Sequence, residues 1–364
     1  MLSYLRSGLV LLAAVTVAVG ITTLPSRAAD ESKDLQSRIR KLEKKVDALE
    51  AKLAYVQVVQ GPLNGLAGPH LIFEGCNVHV RSGSGNSTDG TVDLSAEEVI
   101  PDTTPLGLGN LIVGYNEPPS SGDPERGGSH NLIVGPRHNY SSVDGVVFGQ
   151  ENSATGPLAC VTGGIINTAS GYASSVSGGR LSTASGLFSS INGGFIGEAS
   201  GTGSCVSGGQ GNTASGTYSS ITAGSGNTAT KFDSSVSGGS SNIASGTGAS
   251  VSGGYTNTAS SDYASVSGGK LNRAMYFYSS VSGGDSNTAD GESSSISGGH
   301  LTEASGFASS ITGGELNVAS GENSSISGGN NNTASGFNSS VSGGSSGSAP
   351  STADWVAGDL FQDN

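Results

Sequence analysis

Charge and bulk are what this 364-residue sequence has least of: 12% of its residues are charged and 5% are aromatic. That composition supplies little volume for an ordinary globular core. Basic residues are scarcer than acidic ones, 16 against 29, for a net charge of −13. A nucleic-acid binder is thereby excluded, since it needs clustered basic surface to replace phosphate counterions. The three cysteines, Cys76, Cys160 and Cys205, are odd in number and form no CxxC pair, so neither a zinc knuckle nor a disulfide framework is indicated. Of eleven prolines, none lies between Pro157 and Pro350. What is abundant is glycine, 60 residues, which leaves a disordered Gly/Ser linker or a repeat protein.

The repeat decides between them. From residue 161 a β-branched residue recurs every 15 positions: Val161, Val176, Ile191, Val206, Ile221, Val236, Val251, Val266, Val281, Ile296, Ile311, Ile326 and Val341. Eight residues after each of the first twelve stands Ala: Ala169, Ala184, Ala199, Ala214, Ala229, Ala244, Ala259, Ala274, Ala289, Ala304, Ala319 and Ala334. Three residues after every Val or Ile stands Gly, from Gly164 to Gly344. Linkers do not hold phase in this way, whereas stacked structural units do.

The unit reads S-S-V-S-G-G-x-x-N-T-A-S-G-x-x. Gly-Gly, Asn and Ser at every turn oppose a helix. Two short extended pieces, around S-S-V-S and N-T-A-S, each precede Gly, which allows the positive φ of a tight corner. The expected fold is therefore all-β, a parallel β-solenoid (β-roll) of 15-residue coils with two strands and two turns per coil, its core made by these Val, Ile and Ala side chains. The missing prolines agree, because every backbone N–H is needed for the ladder to the next coil. Asn fills the sixth position after the β-branched residue in nine of the twelve full units, and stacked Asn side chains are expected to bond along that column. Apolar burial per coil is small against the cost of ordering fifteen residues. Further burial between identical chains is expected to supply the difference.

The flanks add context. Arg6, the apolar run Leu9 to Ile21 and Ser26-Arg27-Ala28 read as a signal peptide cleaved after Ala28, with an uncleaved anchor as the alternative. The remainder is then exported, either secreted or held at a bacterial cell surface, with no bilayer span after cleavage. Leu35, Ile39, Leu42, Val46, Leu49, Leu53 and Val56 alternate spacings of four and three, a coiled-coil seam that predicts oligomerisation without fixing dimer or trimer. Leu111-Ile112-Val113-Gly114, Leu132-Ile133-Val134-Gly135 and Val146-Val147-Phe148-Gly149 align with Val161-Thr162-Gly163-Gly164. In that alignment Val113, Val134 and Phe148 replace the first Gly and thicken the core. Cys76 to Val80 reads as a strand, and Trp355, Val356, Leu360 and Phe361 as a cover for the last coil. The chain thus divides into a signal peptide (1–28), a coiled coil (29–57), a connector and N-terminal cap (58–107), irregular wide coils with an inserted loop (108–157), regular repeats (158–349) and a C-terminal cap (350–364).

Ser324-Ser325-Ile326-Ser327-Gly328-Gly329 followed by Asn332-Thr333-Ala334-Ser335-Gly336 resembles the head repeats of trimeric autotransporter adhesins, the YadA-like head family. The resemblance covers roughly residues 108–344. It implies a left-handed parallel β-roll, three chains packed side by side, and adhesion at a bacterial surface. Two features depart from the family pattern. The coiled coil precedes the repeats, and a short tail follows Gly344 where the family carries a membrane-anchoring β-barrel segment, so a head without that anchor is expected.

Catalytic chemistry finds no support, and no enzyme, metal or cofactor is expected. His130 and His138 flank a strand-like piece without an acidic partner at suggestive spacing and read as turn residues held by backbone, with a metal site as the alternative. Cys160 and Cys205 share one Ser column three coils apart, about 14 Å at ~4.8 Å per coil, too far for a disulfide within the chain. The working surface is expected at the variable corner that carries Tyr172, Phe188, Tyr218, Phe232, Tyr263, Phe277, Tyr278, Phe307 and Phe337. These rings suit a protein or glycan ligand, or else they tuck against a neighbouring coil or chain. The leading reading is an exported, non-catalytic, adhesin-like surface or extracellular structural element, a homotrimer whose other partners are host or matrix protein or glycan. The alternatives are a glycan- or ice-binding solenoid, whose Thr column Glu198, Ile243, Arg273, Glu303 and Val318 interrupt, and a polysaccharide-active enzyme.

Overall fold

The structure, a computed structural model, describes residues 26–63, 66–96, 98–100, 103–358 and 360–362. The apolar run expected as a signal peptide lies outside the described residues. The chain forms two units, Met1–His79 and Val80–Asn364.

In the first unit, helix α1 spans Ser26–Lys52. Leu35, Ile39, Leu42, Val46 and Leu49 lie on it, and all but Ile39 are exposed. The expected seam is shorter than its seven residues. Leu53 falls in the turn after the helix, and Val56 opens strand β1 (Val56–Val59), which pairs antiparallel with β2 (His70–Phe73). The β-branched run of β1 favours a pleated ribbon over another helical turn. The strand expected at Cys76–Val80 is likewise displaced, to β2. The segment after Gly75 (φ 71) has no strand beside it, whereas His70–Phe73 finds β1. No described helix is long and apolar enough to cross a membrane.

The second unit begins with a short antiparallel pair, β3 (Val92–Asp93) and β4 (Glu98–Val99). A parallel ladder then runs through β5 (Leu111–Val113), β6 (Leu132–Val134) and β7 (Val146–Phe148) to Cys160–Val161, and from there in steps of 15 residues to Ser340–Val341 and Trp355–Ala357. Leu360–Gln362 folds back antiparallel on Trp355–Ala357 and ends this 18-stranded ladder. A second parallel ladder of 14 strands stacks Ser153–Ala154 through Ser348–Ala349. The coils are thus a parallel β-solenoid of the expected 15-residue period.

Each coil also has a third contact line, which the sequence reading lacked. Single-residue bridges join Gln150, Ile165, Arg180 and their successors as far as Ser345. One junction shows the full set of bonds: Ser250, Ser252, Tyr255, Thr258 and Ser260 donate their N–H groups to carbonyls of Ala264, Val266, Gly269, Asn272 and Ala274, at 2.8–3.0 Å. Leu271 and Tyr278 N–H point the other way, to Tyr255 O at 2.9 Å and Asp262 O at 3.2 Å.

The interior is narrow. The thirteen Val and Ile and the twelve Ala residues from Val161 to Val341 are all buried, at 0–1% exposure. Two of the glycines are set by backbone crowding. At the second Gly of each pair φ is positive, for example 90° at Gly254, and a Cβ there would collide with the Gly269 carbonyl. At Gly171 a Cβ would collide with the Gly186 carbonyl although φ is ordinary. Lys231 and Tyr276 take that second position in two coils, and there the Ser three residues on ties the turn. Lys231 N–H donates to Ser234 Oγ at 3.1 Å and Tyr276 N–H to Ser279 Oγ at 3.1 Å.

The first coils depart from the expected register by one residue. Val147, not Val146, pairs with Val161, so Ile133 and Val147 are fully buried. Val134 and Phe148 lie on the outer side, half-buried, and Val113 is exposed. A slip of one residue turns every side chain to the opposite face, so the core is not thickened here. The inserted loop is held by Arg126, which donates to His138 O (Nε, 3.0 Å), Asn116 O (Nη1, 2.7 Å) and Glu117 O.

Candidate functional site

Four columns of side chains give this roll its chemistry. The first is buried. Asn257 shows the pattern: its Nδ2 donates to Gly253 O at 2.8 Å and Gly269 O at 3.0 Å, and its Oδ1 accepts from Asn272 N–H at 2.9 Å. The side chains therefore bond to backbone, not to each other as expected from stacking. Each one closes its own corner and clips the next coil. His138 heads the same column and does the same work with a ring, since Nε2 donates to Val134 O at 3.1 Å and Nδ1 accepts from Asn152 N–H at 3.1 Å. Burial, ahead of the opposing effect of these bonds, pulls its pKa below 6.5.

His130 is not in this column. Its Nε2 accepts from Ser82 N–H at 3.1 Å, and Nδ1 donates to Ser87 O at 2.6 Å, so it ties the 82–87 loop to the first coils. Nearby, Asp89 accepts from Ser82 Oγ at 2.6 Å and Leu106 N–H at 2.9 Å. Burial opposes ionisation there, but these hydrogen bonds outweigh it and hold the carboxyl well below the usual carboxylate range. Among the described residues no three His, Cys, Asp or Glu side chains gather to hold a metal ion. All three cysteines are free, and burial pushes the Cys160 thiol up.

The second column follows the third contact line and is polar in its later coils, from Lys270 to Asn330. Lys270 Nζ lies 3.7 Å from Asp285 Oδ2, His300 Nδ1 lies 3.4 Å from Glu315 Oε1, and Asn330 Nδ2 donates to Glu315 Oε2 at 3.2 Å. The Ser286 hydroxyl, ahead of Lys270 and His300, lowers the Asp285 pKa. These partners lie on adjacent coils, and surface pairs of this kind contribute little to stability.

The third is the column of first glycines. At Gly178, Gly193, Gly208, Gly238 and their successors to Gly328, φ is not positive and an added Cβ would meet nothing within 4 Å. Neither backbone conformation nor packing inside the chain requires glycine there. Ala223 stands at the one coil that lacks it.

The fourth is the aromatic corner. All nine rings expected there lie along it, and all but Tyr172 are exposed. Rings on adjacent coils pair: Tyr172 with Phe188 edge-on at 5.7 Å, Tyr218 with Phe232 edge-on at 5.8 Å, and Tyr263 with Tyr278 stacked at 5.3 Å. The pairs are separated by single coils carrying Gly203 and Gly248, where a Cβ would come within 2.6 Å of Tyr218 and 2.9 Å of Tyr263. These two tyrosines therefore lean on bare backbone. Tyr276, 5.9 Å from Phe277, joins the third group. The sequence reading missed it because it takes the place of a glycine. No family model matches the chain, and no curated protein matches it in sequence.

Proposed function

We infer that the chain is an exported, non-catalytic, homo-oligomeric β-roll of the kind found in trimeric autotransporter heads. It serves as an adhesin-like or structural element at a cell surface or outside the cell. The column of first glycines carries this reading. Glycine costs roughly 0.5–1 kcal/mol relative to alanine in an extended element, and this column repeats it where nothing in its own chain requires it. A second backbone lying against that corner supplies the reason. The exposed apolar stripe on α1 (Leu35, Leu42, Val46, Leu49) supports the same reading, because about three heptads are too short to persist alone in water.

Light scattering on the purified protein tests it. The expected mass is three times that of one chain. Replacing Gly238, Gly253 and Gly268 together by Val is expected to lower the mass while the circular-dichroism strand signal persists. A wild-type monomer with intact strand content would overturn the reading.

A further inference from the structure

The aromatic corner holds backbone strain that its own column shows to be avoidable. Phe188, Tyr218, Tyr263 and Tyr278 sit at φ 56–58°, the left-handed region that a residue with a bulky side chain enters only at a cost. Five other coils fill the equivalent position with residues suited to it, Gly203, Asp233, Gly248, Asn323 and Asn338, while Ala173, Ser293 and Ala308 hold the same φ with a small side chain. Large rings are therefore placed where small or polar residues fit better. They also stay in water, since Tyr218, Tyr263 and Tyr278 are 56–59% exposed despite their pairing. Strain kept at an exposed aromatic is the mark of a binding position.

The arrangement indicates what binds. The ring pairs begin at Tyr172, Tyr218 and Tyr263, three coils apart, which is about 14 Å at ~4.8 Å per coil. Each gap is a single coil of small residues, so the corner is a row of separate small platforms and not one continuous apolar patch. A folded protein partner needs a contiguous area of roughly 1,000 Å², whereas an extended polymer can touch several platforms in turn. Asp233 follows Phe232 and Asp262 precedes Tyr263, which places carboxylate acceptors next to rings. With a net charge of −13 the chain disfavours an acidic polymer.

We propose that this corner binds a neutral polysaccharide, one glycan chain engaging successive ring platforms. Sugar C–H groups lie against the rings, and sugar hydroxyls bond to phenols and carboxylates. The proposal rests on the adhesive reading above and names its ligand class. The corner is distinct from the glycine column, so oligomer mass and glycan binding fail independently.

Affinity electrophoresis of the whole protein through gels containing mixed-linkage β-glucan, galactomannan, dextran or polygalacturonate tests it, with light scattering on the same samples. At least one neutral polymer is expected to retard the protein. Short oligosaccharides cut from that polymer should bind at least tenfold more weakly, because one platform replaces several. The combined Tyr218→Asn, Tyr263→Asn and Tyr278→Asn variant installs the residue already present at 323 and 338, keeps the fold, and is expected to lose the retardation. The proposal is overturned if no neutral polymer retards the protein. It is equally overturned if polygalacturonate retards it as strongly, or if the variant migrates as the wild type does.

Discussion

Two buried polar columns run the length of the roll, and they differ in everything except burial. The Asn side chains are fully bonded, each to two carbonyls and one N–H. The Ser side chains on the opposite corner are equally buried, yet the hydroxyls of Ser174, Ser189, Ser204, Ser219, Ser309, Ser324 and Ser339 have no partner. Ala249 and Ala264 occupy that Ser column without change to the ladder. Burial alone therefore does not mark a structural polar group. One column fastens coils together; the other mostly fills space at the right size, and ties its own turn at Ser234, Ser279 and Ser294.

The sharpest way to break the contrast is Asn257→Ala. It strands Gly253 O and Asn272 N–H, while Gly269 O keeps the Tyr255 N–H, and a loss of about 3 kcal/mol is expected. Amide hydrogen exchange around residues 250–275 checks it, with faster exchange confined to the neighbouring coils. The reverse experiment uses a natural gap. Gly197 lies in the Asn column, its φ is not positive, and a Cβ there meets Ser182, Ile191 and Val206 only at 3.6–3.7 Å. Gly197→Asn should give the Asn212 amide an acceptor and stabilise the region by about 1 kcal/mol, read as slower exchange at Asn212.

His138 makes the column pH-sensitive at one end. Its folded pKa lies below 6.5, so the unfolded chain binds more protons as pH falls, and stability is lost below pH 6.5. The protection factor of the Asn152 amide, the factor by which its exchange is slowed relative to the unfolded chain at the same pH, should fall between pH 7 and pH 5, and His138→Asn should remove that dependence. The smallest effect is expected for Ser204→Ala. Its hydroxyl bonds nothing, so denaturation midpoints should match the wild type to within about 0.5 kcal/mol.

The period, the two ladders and the Val, Ile and Ala interior were legible in the sequence because each is enforced by side-chain identity at a fixed interval. The third contact line was not. Ile165, Arg180, Phe195 and Gln210 share no chemistry, since a single bridge uses only backbone groups. The Asn column was visible as a pattern, but its partners are carbonyls and an N–H, which carry no letter in a sequence. At Val146–Phe148 three apolar residues in a row offer either alternate face to the core, and the ladder chose the middle one. The aromatic corner could be located from the sequence. Its strain and its three-coil grouping needed the dihedral angles and ring distances.

The uniform 15-residue register has a genetic consequence. Throughout the regular stretch each residue pairs with the one fifteen codons further on, so recombination between neighbouring copies that adds or removes one whole copy rejoins matching edges. The molecule can gain or lose reach in steps of about 4.8 Å with no new contact to invent. Only exchanges of three copies at a time also keep the tyrosine groups in step, which makes the ring pattern, and not the scaffold, the part that selection must guard against slippage.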